Sequence, residues 1–124
     1  MNLDKSKKLL AKKAKRGFQG YPLITIAYYG PNDKHATKVV VGFIAEEHAP
    51  ALLEKFMTEA DARMDATVHS AIIKIIERSG AKSVVLGAGI MGCPHEEGID
   101  YPESEECPEC AFWQGKDRFT GKPV

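Results

Sequence analysis

Three cysteines and one histidine near the C-terminal end of the chain have the residue types and the spacing of a metal site. Cys93 and His95 form a C-x-H pair, and after eleven intervening residues Cys107 and Cys110 form a C-x-x-C pair. Tetrahedral zinc sites combine two ligand pairs presented by separate tight turns, and C-x-x-C is the commonest such pair. The pattern predicts that these four side chains hold one zinc ion, with iron as an alternative metal.

The C-x-x-C pair also allows a second interpretation, a thiol redox protein. A reactive pair is expected at the start of a helix, beside groups that lower the pKa of a thiol. Three glutamates at 105, 106 and 109 surround Cys107 and Cys110 instead. Acidic neighbours raise the pKa of a thiol. The redox function therefore stays as a second alternative, after an enzymatic one.

The enzymatic alternative comes from His95-Glu96-Glu97, an H-x-E sequence that, with C-x-x-C, is similar to the signature of zinc deaminases. In a zinc-dependent hydrolase or deaminase-like enzyme, Glu96 or Glu97 would move protons at the metal. Two features differ from that family. Both halves of the motif follow the last predicted strand, and four protein ligands leave no coordination position for a reactive water.

A G-x-G-x-x-G spacing at Gly87, Gly89 and Gly92 overlaps the start of this motif. A dinucleotide site needs a strand before the glycines and a helix immediately after them. Pro94 and Gly98 oppose a helix at that place. The glycines are therefore predicted to form a tight turn in which the last strand ends.

The elements that would position these residues follow from periodicity and capping signals. A basic helix is predicted over 4–16, a β-hairpin from strands 21–29 and 36–45, and a short buried strand over 82–87. Between the hairpin and the last strand, helices are predicted from 50 to 79: one begins at Pro50, and a second over 66–79 is capped by Asp65 and closed by Gly80.

These elements predict one α/β domain over 1–124, with a small three-stranded mixed sheet made of the hairpin and a crossover strand. Its first part, 1–17, is the basic helix. Its last part, 88–124, is a metal-bound loop and tail without periodicity. A loop of that length in a compact domain needs something to hold it, and a metal ion would do so.

The charges of the chain are balanced overall but segregated at its ends. Residues 1–16 carry seven Lys/Arg and one acid, whereas residues 93–124 carry three basic and eight acidic groups. A basic helix of this kind predicts contacts with nucleic-acid phosphates or with an acidic protein, although plain solvated surface is an alternative. The candidate phosphate contacts are Lys8, Lys12, Lys13, Lys15 and Arg16.

The cellular compartment is predicted from the apolar runs, the first residues and the cysteines of the sequence. The longest apolar run, VVVGFIA at 39–45, is too short to span a bilayer, and the lysine-rich start has no apolar segment typical of a secretory signal. A cytoplasmic location is expected, where three cysteines are metal ligands or thiols more often than disulfides.

The run GCPHEEGIDYP, followed by CPECAFWQGKDRFTG, resembles the C-terminal signature of a family of short bacterial α/β proteins. With YPLITIAYYG and the isoleucine-rich helix, the resemblance spans most of the chain. It implies a bacterial, cytoplasmic setting and brings no activity. The sequence thus favours a zinc-stabilised cytoplasmic domain that binds protein or nucleic acid and is not an enzyme.

Overall fold

The computed structural model describes residues 3–96, 98–103 and 107–114. Two parts of the predictions, Glu97 and the tail over 115–124, lie outside the described residues. The helices are α1 (Leu3–Lys15) and α2 (Ala66–Ser79), and the strands are β1 (Leu23–Tyr29), β2 (Lys38–Ile44), β3 (Leu52–Met57) and β4 (Ser83–Ile90). Two short 3₁₀ turns occupy Ala62–Met64 and Ala111–Trp113.

The strands form one mixed sheet in the order β3-β2-β1-β4. β1 pairs antiparallel with β2 and parallel with β4, and α2 lies between β3 and β4 in the chain. The predicted α/β class, hairpin and crossover strand are therefore confirmed. The predicted number of three strands is wrong, because β3 adds a fourth strand along the outer side of β2.

The helix predicted from Pro50 is in fact strand β3. Leu52, Leu53, Phe56 and Met57 have helical spacing, but Val41 pairs with Glu54 and Val39 with Phe56 across an antiparallel ladder. Leu53 and Met57 are exposed, and only Phe56 is partly buried against the core. Backbone pairing with β2, and not burial of an apolar stripe, decides the structure of this segment.

The second predicted helix is confirmed at both ends. The Asp65 side chain accepts a hydrogen bond of 3.0 Å from the Val68 amide, which satisfies one of the amides left without a partner in the first turn. Gly80 ends α2 in the left-handed conformation with φ of 68°, where a side chain would be strained. Between these caps, Ile72, Ile73 and Ile76 are buried in the main core.

The main core lies between the two helices and one face of the sheet. Alternate residues of β1, Ile24, Ile26 and Tyr28, are buried on that face together with Ile72 of α2. Helix α1 adds Leu10, which is 4% exposed, so α1 is anchored by its apolar side. Both helices cover the same face, which leaves the opposite face of the sheet for the C-terminal loop.

Strand β4 contains an irregularity next to this core. Ile26 pairs with Leu86 and Tyr28 with Ile90, so one residue of β1 faces three of β4. The strand was predicted to end at Gly87 but continues to Ile90. Gly89 adopts a φ of 59°, which glycine tolerates without strain, and we call residues 87–89 the β4 bulge.

Among the described residues, no helix has the length and apolarity that crossing a bilayer requires.

Candidate metal centre

The four predicted ligands come together at one point. The ligand atoms of Cys93, His95, Cys107 and Cys110 all lie within 4.8 Å of one another. The His95 Nδ1 atom lies 3.3 Å from the Sγ atoms of Cys93 and Cys107, and 3.4 Å from that of Cys110. In tetrahedral zinc with ordinary Zn–S and Zn–N bond lengths, sulfur and nitrogen ligands are about 3.6 Å apart. The group can therefore hold one metal ion.

The surroundings of this group also suit a cation. Cys93, Cys107 and Cys110 are buried, and Tyr101 and Trp113 pack against them in a small second core. Burial raises the pKa of the Cys93 and Cys110 thiols, and the neighbouring Cys107 adds to the increase at both. Three buried thiolates would repel each other without a positive charge between them, and a bound metal ion supplies that charge.

His95 is oriented by a second contact on its other ring nitrogen. Its Nε2 atom lies 3.1 Å from a carboxylate oxygen of Glu109, so Nδ1 is the nitrogen left to face the three sulfurs. Metal-bound histidines commonly donate their second N–H to a carboxylate, which fixes the tautomer. In the sequence, Glu109 is recognisable only as an acidic neighbour that is unfavourable to redox chemistry. Because Glu109 lies inside the C-x-x-C turn, next to Cys110, its contact with a ligand side chain could have been expected from the sequence.

Tight turns present the ligands, as the sequence predicted. The His95 amide donates to the Cys93 sulfur at 3.3 Å, and the Trp113 amide donates to the Cys110 carbonyl at 3.1 Å. The Gln114 side chain donates to the Cys107 carbonyl at 3.2 Å. These bonds satisfy backbone groups that have no partner in a helix or strand.

The metal loop, which we define as residues 91–96, 98–103 and 107–114, is fastened to the sheet at the end of β1. The amide of Gly30 donates to the Gly92 carbonyl at 2.8 Å, and the Gly30 carbonyl accepts from the Trp113 indole at 2.7 Å. Lys38 of β2 donates to the Pro94 carbonyl at 2.9 Å from a side chain that is 6% exposed. Both ligand pairs are thus tied to the sheet.

Glu96, one of the two candidate proton carriers, is engaged by lysines of the sheet. Its carboxylate oxygens lie 2.7 and 2.8 Å from Lys55 Nζ and 3.3 Å from Lys38 Nζ. The hydrogen bond from Lys55, together with Lys38, lowers the pKa of Glu96. Glu96 is therefore an ionised anchor for the loop in this arrangement, and the second candidate, Glu97, lies outside the described residues.

A cavity of about 290 Å³ separates the loop from the open face of the sheet. Tyr29, Lys38 and Val40 form its floor, and Pro94 and Glu96 form its roof. The two lysines that reach into it already contact Glu96. The cavity therefore belongs to the attachment of the metal loop.

The five candidate phosphate contacts lie on or just after α1. Lys8, Lys12, Lys15 and Arg16 are exposed, and Lys13 is half-buried. None of the five forms an ion pair with an acidic residue that the structure describes. The structure thus leaves these cations available to a partner.

Comparisons with protein-family models, with curated proteins and with solved structures found no match to this chain.

Proposed function

We propose that this chain is a zinc-stabilised binding module, in which the metal has a structural role and α1 contacts nucleic-acid phosphates. The convergence of three sulfurs on one nitrogen of His95, at 3.3–3.4 Å, carries the metal part of the proposal. Three thiolates and one imidazole are a preferred donor set for zinc, and they fill a tetrahedron. The proposal includes a reducing compartment such as the cytoplasm, which keeps the thiols available.

The number of donor atoms and the ion pairs of Glu96 favour a structural role of the metal over a catalytic one. A catalytic zinc keeps one position for water or substrate, whereas here four protein atoms occupy the tetrahedron. Glu96, the described candidate for proton transfer, is ion-paired with Lys55 and Lys38. What the metal does in this arrangement is hold the two ligand pairs together, so that the loop keeps its contacts with Gly30 and Lys38.

Metal analysis with a matched pair of variants tests this role. The protein, purified without chelator, should contain one zinc per chain by elemental analysis. His95→Asn should lose zinc, and His48→Asn should keep it, because the His48 side chain is 91% exposed and lies outside the metal group. Cys107→Ala should likewise lose both the metal and the order of the metal loop. Wild-type protein without a stoichiometric metal would overturn the proposal.

The nucleic-acid part rests on how α1 is anchored. Leu10 is buried and Leu9 and Ala14 pack against the core, so the apolar side of the helix is fixed and the lysines face outward. A row of cations that form no ion pair with any acid in the described residues gives a sequence-independent attraction to phosphates. A protein partner with an acidic surface would bind the same face of α1. The RNA-binding test below distinguishes this alternative from nucleic-acid binding.

Removing residues 1–16 would delete Leu10 from the core, so charge substitutions are the better test. Replacing Lys12 and Lys15 by Ala should weaken binding to a labelled single-stranded RNA, and it should reduce the slope of log K against log[salt] by about 1.4. Lys34→Ala with Lys74→Ala makes the same charge change away from α1, and binding should be unaffected. Equal effects of both pairs, or no RNA binding by the wild type at low salt, would contradict the proposal.

A further inference from the structure

A cavity of about 340 Å³ lies on the helix side of the sheet, away from the metal centre. It is enclosed by α1, by the first turns of α2, by the 3₁₀ turn that contains Arg63, and by the β4 bulge. The volume is in the range of small-ligand sites in proteins. Its position is also typical, since it lies toward the carboxyl ends of the parallel strands β1 and β4, where α/β folds bind ligands.

Two walls of this pocket carry hydrogen-bond donors without a full set of partners. The Tyr28 side chain is 6% exposed, and its hydroxyl forms no hydrogen bond with any residue in the described ranges. Arg63 binds Asp61 through Nε and Nη2, and Nη2 also donates to the Lys34 carbonyl. Its Nη1 has no hydrogen-bond partner among the described residues. The Arg63 side chain is 35% exposed, whereas Tyr28 is 6% exposed, and an unpaired donor on so buried a residue indicates a ligand or water at the site.

The charge of the pocket is close to one positive unit. The Arg63 charge is balanced by Asp61 at 2.8 Å, whereas Lys7 forms no ion pair with an acid in the part of the chain that is described. The nearest recorded contact of Lys7 Nζ is the Met64 sulfur at 3.1 Å, a weak acceptor. Burial raises the pKa of Tyr28, so its hydroxyl keeps its proton and can donate. The site thus offers donors and a single uncompensated cation.

Apart from His69 of α2, the remaining lining is apolar. Leu10 and Ala11 of α1 and Leu86 of β4 face the cavity, and the β4 bulge leaves its mouth open because a Cβ atom at Gly89 would meet nothing within 4 Å. A ligand that suits such walls combines an apolar body with one negative charge. A carboxylate fits better than a phosphate dianion, because Lys7 alone supplies the balancing charge.

We propose that this pocket binds a small organic carboxylate, whose apolar body packs against Leu10, Ala11 and Leu86 and whose carboxylate accepts hydrogen bonds from Tyr28, Arg63 and Lys7. None of these residues belongs to the metal centre or to the five candidate phosphate contacts. The inference therefore goes beyond the proposed function, and it stands or falls independently of zinc and nucleic acid. Gly87 and Gly89, two glycines of the dinucleotide-like spacing, line the rim of this pocket.

A titration of the full-length, metal-loaded protein followed by ¹⁵N NMR tests the pocket. Benzoate is the probe and benzamide its uncharged match. Benzoate should shift the amides of Gly87, Gly89 and His69 in a saturable way, with a Kd of about 1 mM or tighter. Benzamide should bind at least about tenfold more weakly, because it lacks the charge that Lys7 balances. No saturable shifts with benzoate, or equal binding of benzamide, would overturn the inference.

Variants locate the binding within the pocket. Lys7→Met and Tyr28→Phe should each weaken benzoate binding by about fivefold or more. Tyr28→Phe should remain folded, since the hydroxyl has no partner within the described residues. Lys8→Met makes the same charge change as Lys7→Met one residue further along α1, outside the pocket lining, and should bind benzoate like the wild type. Equal losses for the Lys7 and Lys8 variants would show charge attraction without a site and would refute the proposal.

Discussion

The indole nitrogen of Trp113 donates a hydrogen bond of 2.7 Å to the carbonyl oxygen of Gly30, 83 residues earlier in the chain. Gly30 follows the last residue of β1, and Trp113 ends the 3₁₀ turn that begins directly after Cys110. Trp113 also packs against both the main core and the cluster of cysteines. One side chain thus connects the metal centre to the sheet.

Because Trp113 is the only tryptophan in the chain, its fluorescence reports on this connection. If the metal has the proposed structural role, chelation at neutral pH should shift this emission to the red, because the loop would then lose its order. Far-UV circular dichroism should keep most of its signal, because the core around Ile24 and Ile72 contains no metal ligand. Adding zinc back should reverse the shift. Simultaneous loss of both signals would contradict this separation.

Lys38 and Lys55 provide a matched pair for the attachment of the loop. Both contact Glu96, but Lys38 is buried and also donates to the buried carbonyl of Pro94, whereas Lys55 is 39% exposed. Lys38→Met should lower the free energy of unfolding by about 1–3 kcal/mol, because it leaves a buried acceptor without a donor. Lys55→Met should cost no more than about 1 kcal/mol, as for other exposed ion pairs.

Denaturant unfolding of the metal-loaded variants measures these differences. The metal content of both should stay at the wild-type value, since neither lysine is a ligand. Equal losses of stability for the two variants would show that burial of Lys38 does not matter to the attachment.

Gly30 should tolerate no side chain. A Cβ atom there would overlap the backbone carbonyl oxygen of His35, which a rotamer change cannot relieve. Gly30→Ala should therefore destabilise the protein by more than about 2 kcal/mol. Gly87→Ala is the control within the same sheet, because a Cβ atom there would lie 3.1 Å from the flexible Met91 sulfur and 3.3 Å from the Ile26 carbonyl oxygen, both tight but without overlap. Thermal unfolding should rank the wild type and the Gly87 variant above the Gly30 variant, and the reverse order would be inconsistent with the Gly30 packing.

The buried histidine of α2 predicts a pH dependence. Burial, together with the charge of Lys7, lowers the pKa of His69 below its ordinary value of 6.5, although Asp65 opposes the shift. The unfolded chain then binds a proton at a higher pH than the folded one. The stability that neutral His69 contributes is complete above about pH 6.5 and is lost as the pH falls toward the lowered pKa.

His69→Gln removes this titration and leaves the metal centre unchanged. The stability advantage of the wild type over the variant should decrease as the pH falls from about 7.5 to about 5.5. Urea unfolding at several pH values measures it, and the contribution of the metal ligands cancels in the comparison. A difference that stays constant with pH would mean that the pKa of His69 is not lowered by folding.

The parts of the fold that were predictable from sequence have local causes. Asp65 and Gly80 mark the ends of α2 because their side-chain and backbone properties are those that helix ends require. The four candidate metal ligands could be picked out for the same reason, since residue type and spacing alone define a C-x-x-C turn. These features need no knowledge of distant contacts.

Strand β3 and the pocket proposed to bind a carboxylate depend on residues far apart in sequence. Leu52, Leu53 and Met57 are exposed on an edge strand, so no alternation between buried and exposed positions revealed the strand. The pocket combines Lys7, Tyr28 and Arg63 from three separate segments with the β4 bulge. Helical spacing was the stronger local signal at 52–57, and pairing with β2 overrode it.

The metal loop covers one end of the sheet face that the helices leave open. If a copy of the protein loses its metal, the released loop uncovers Tyr29 and Val40 beside the already exposed Leu53 and Met57. Proteases cleave chains in such locally opened states, and exposed apolar surface also draws chaperones. The lifetime of each copy would then depend on whether it holds its ion, so the amount of this protein in a cell would follow the supply of the metal.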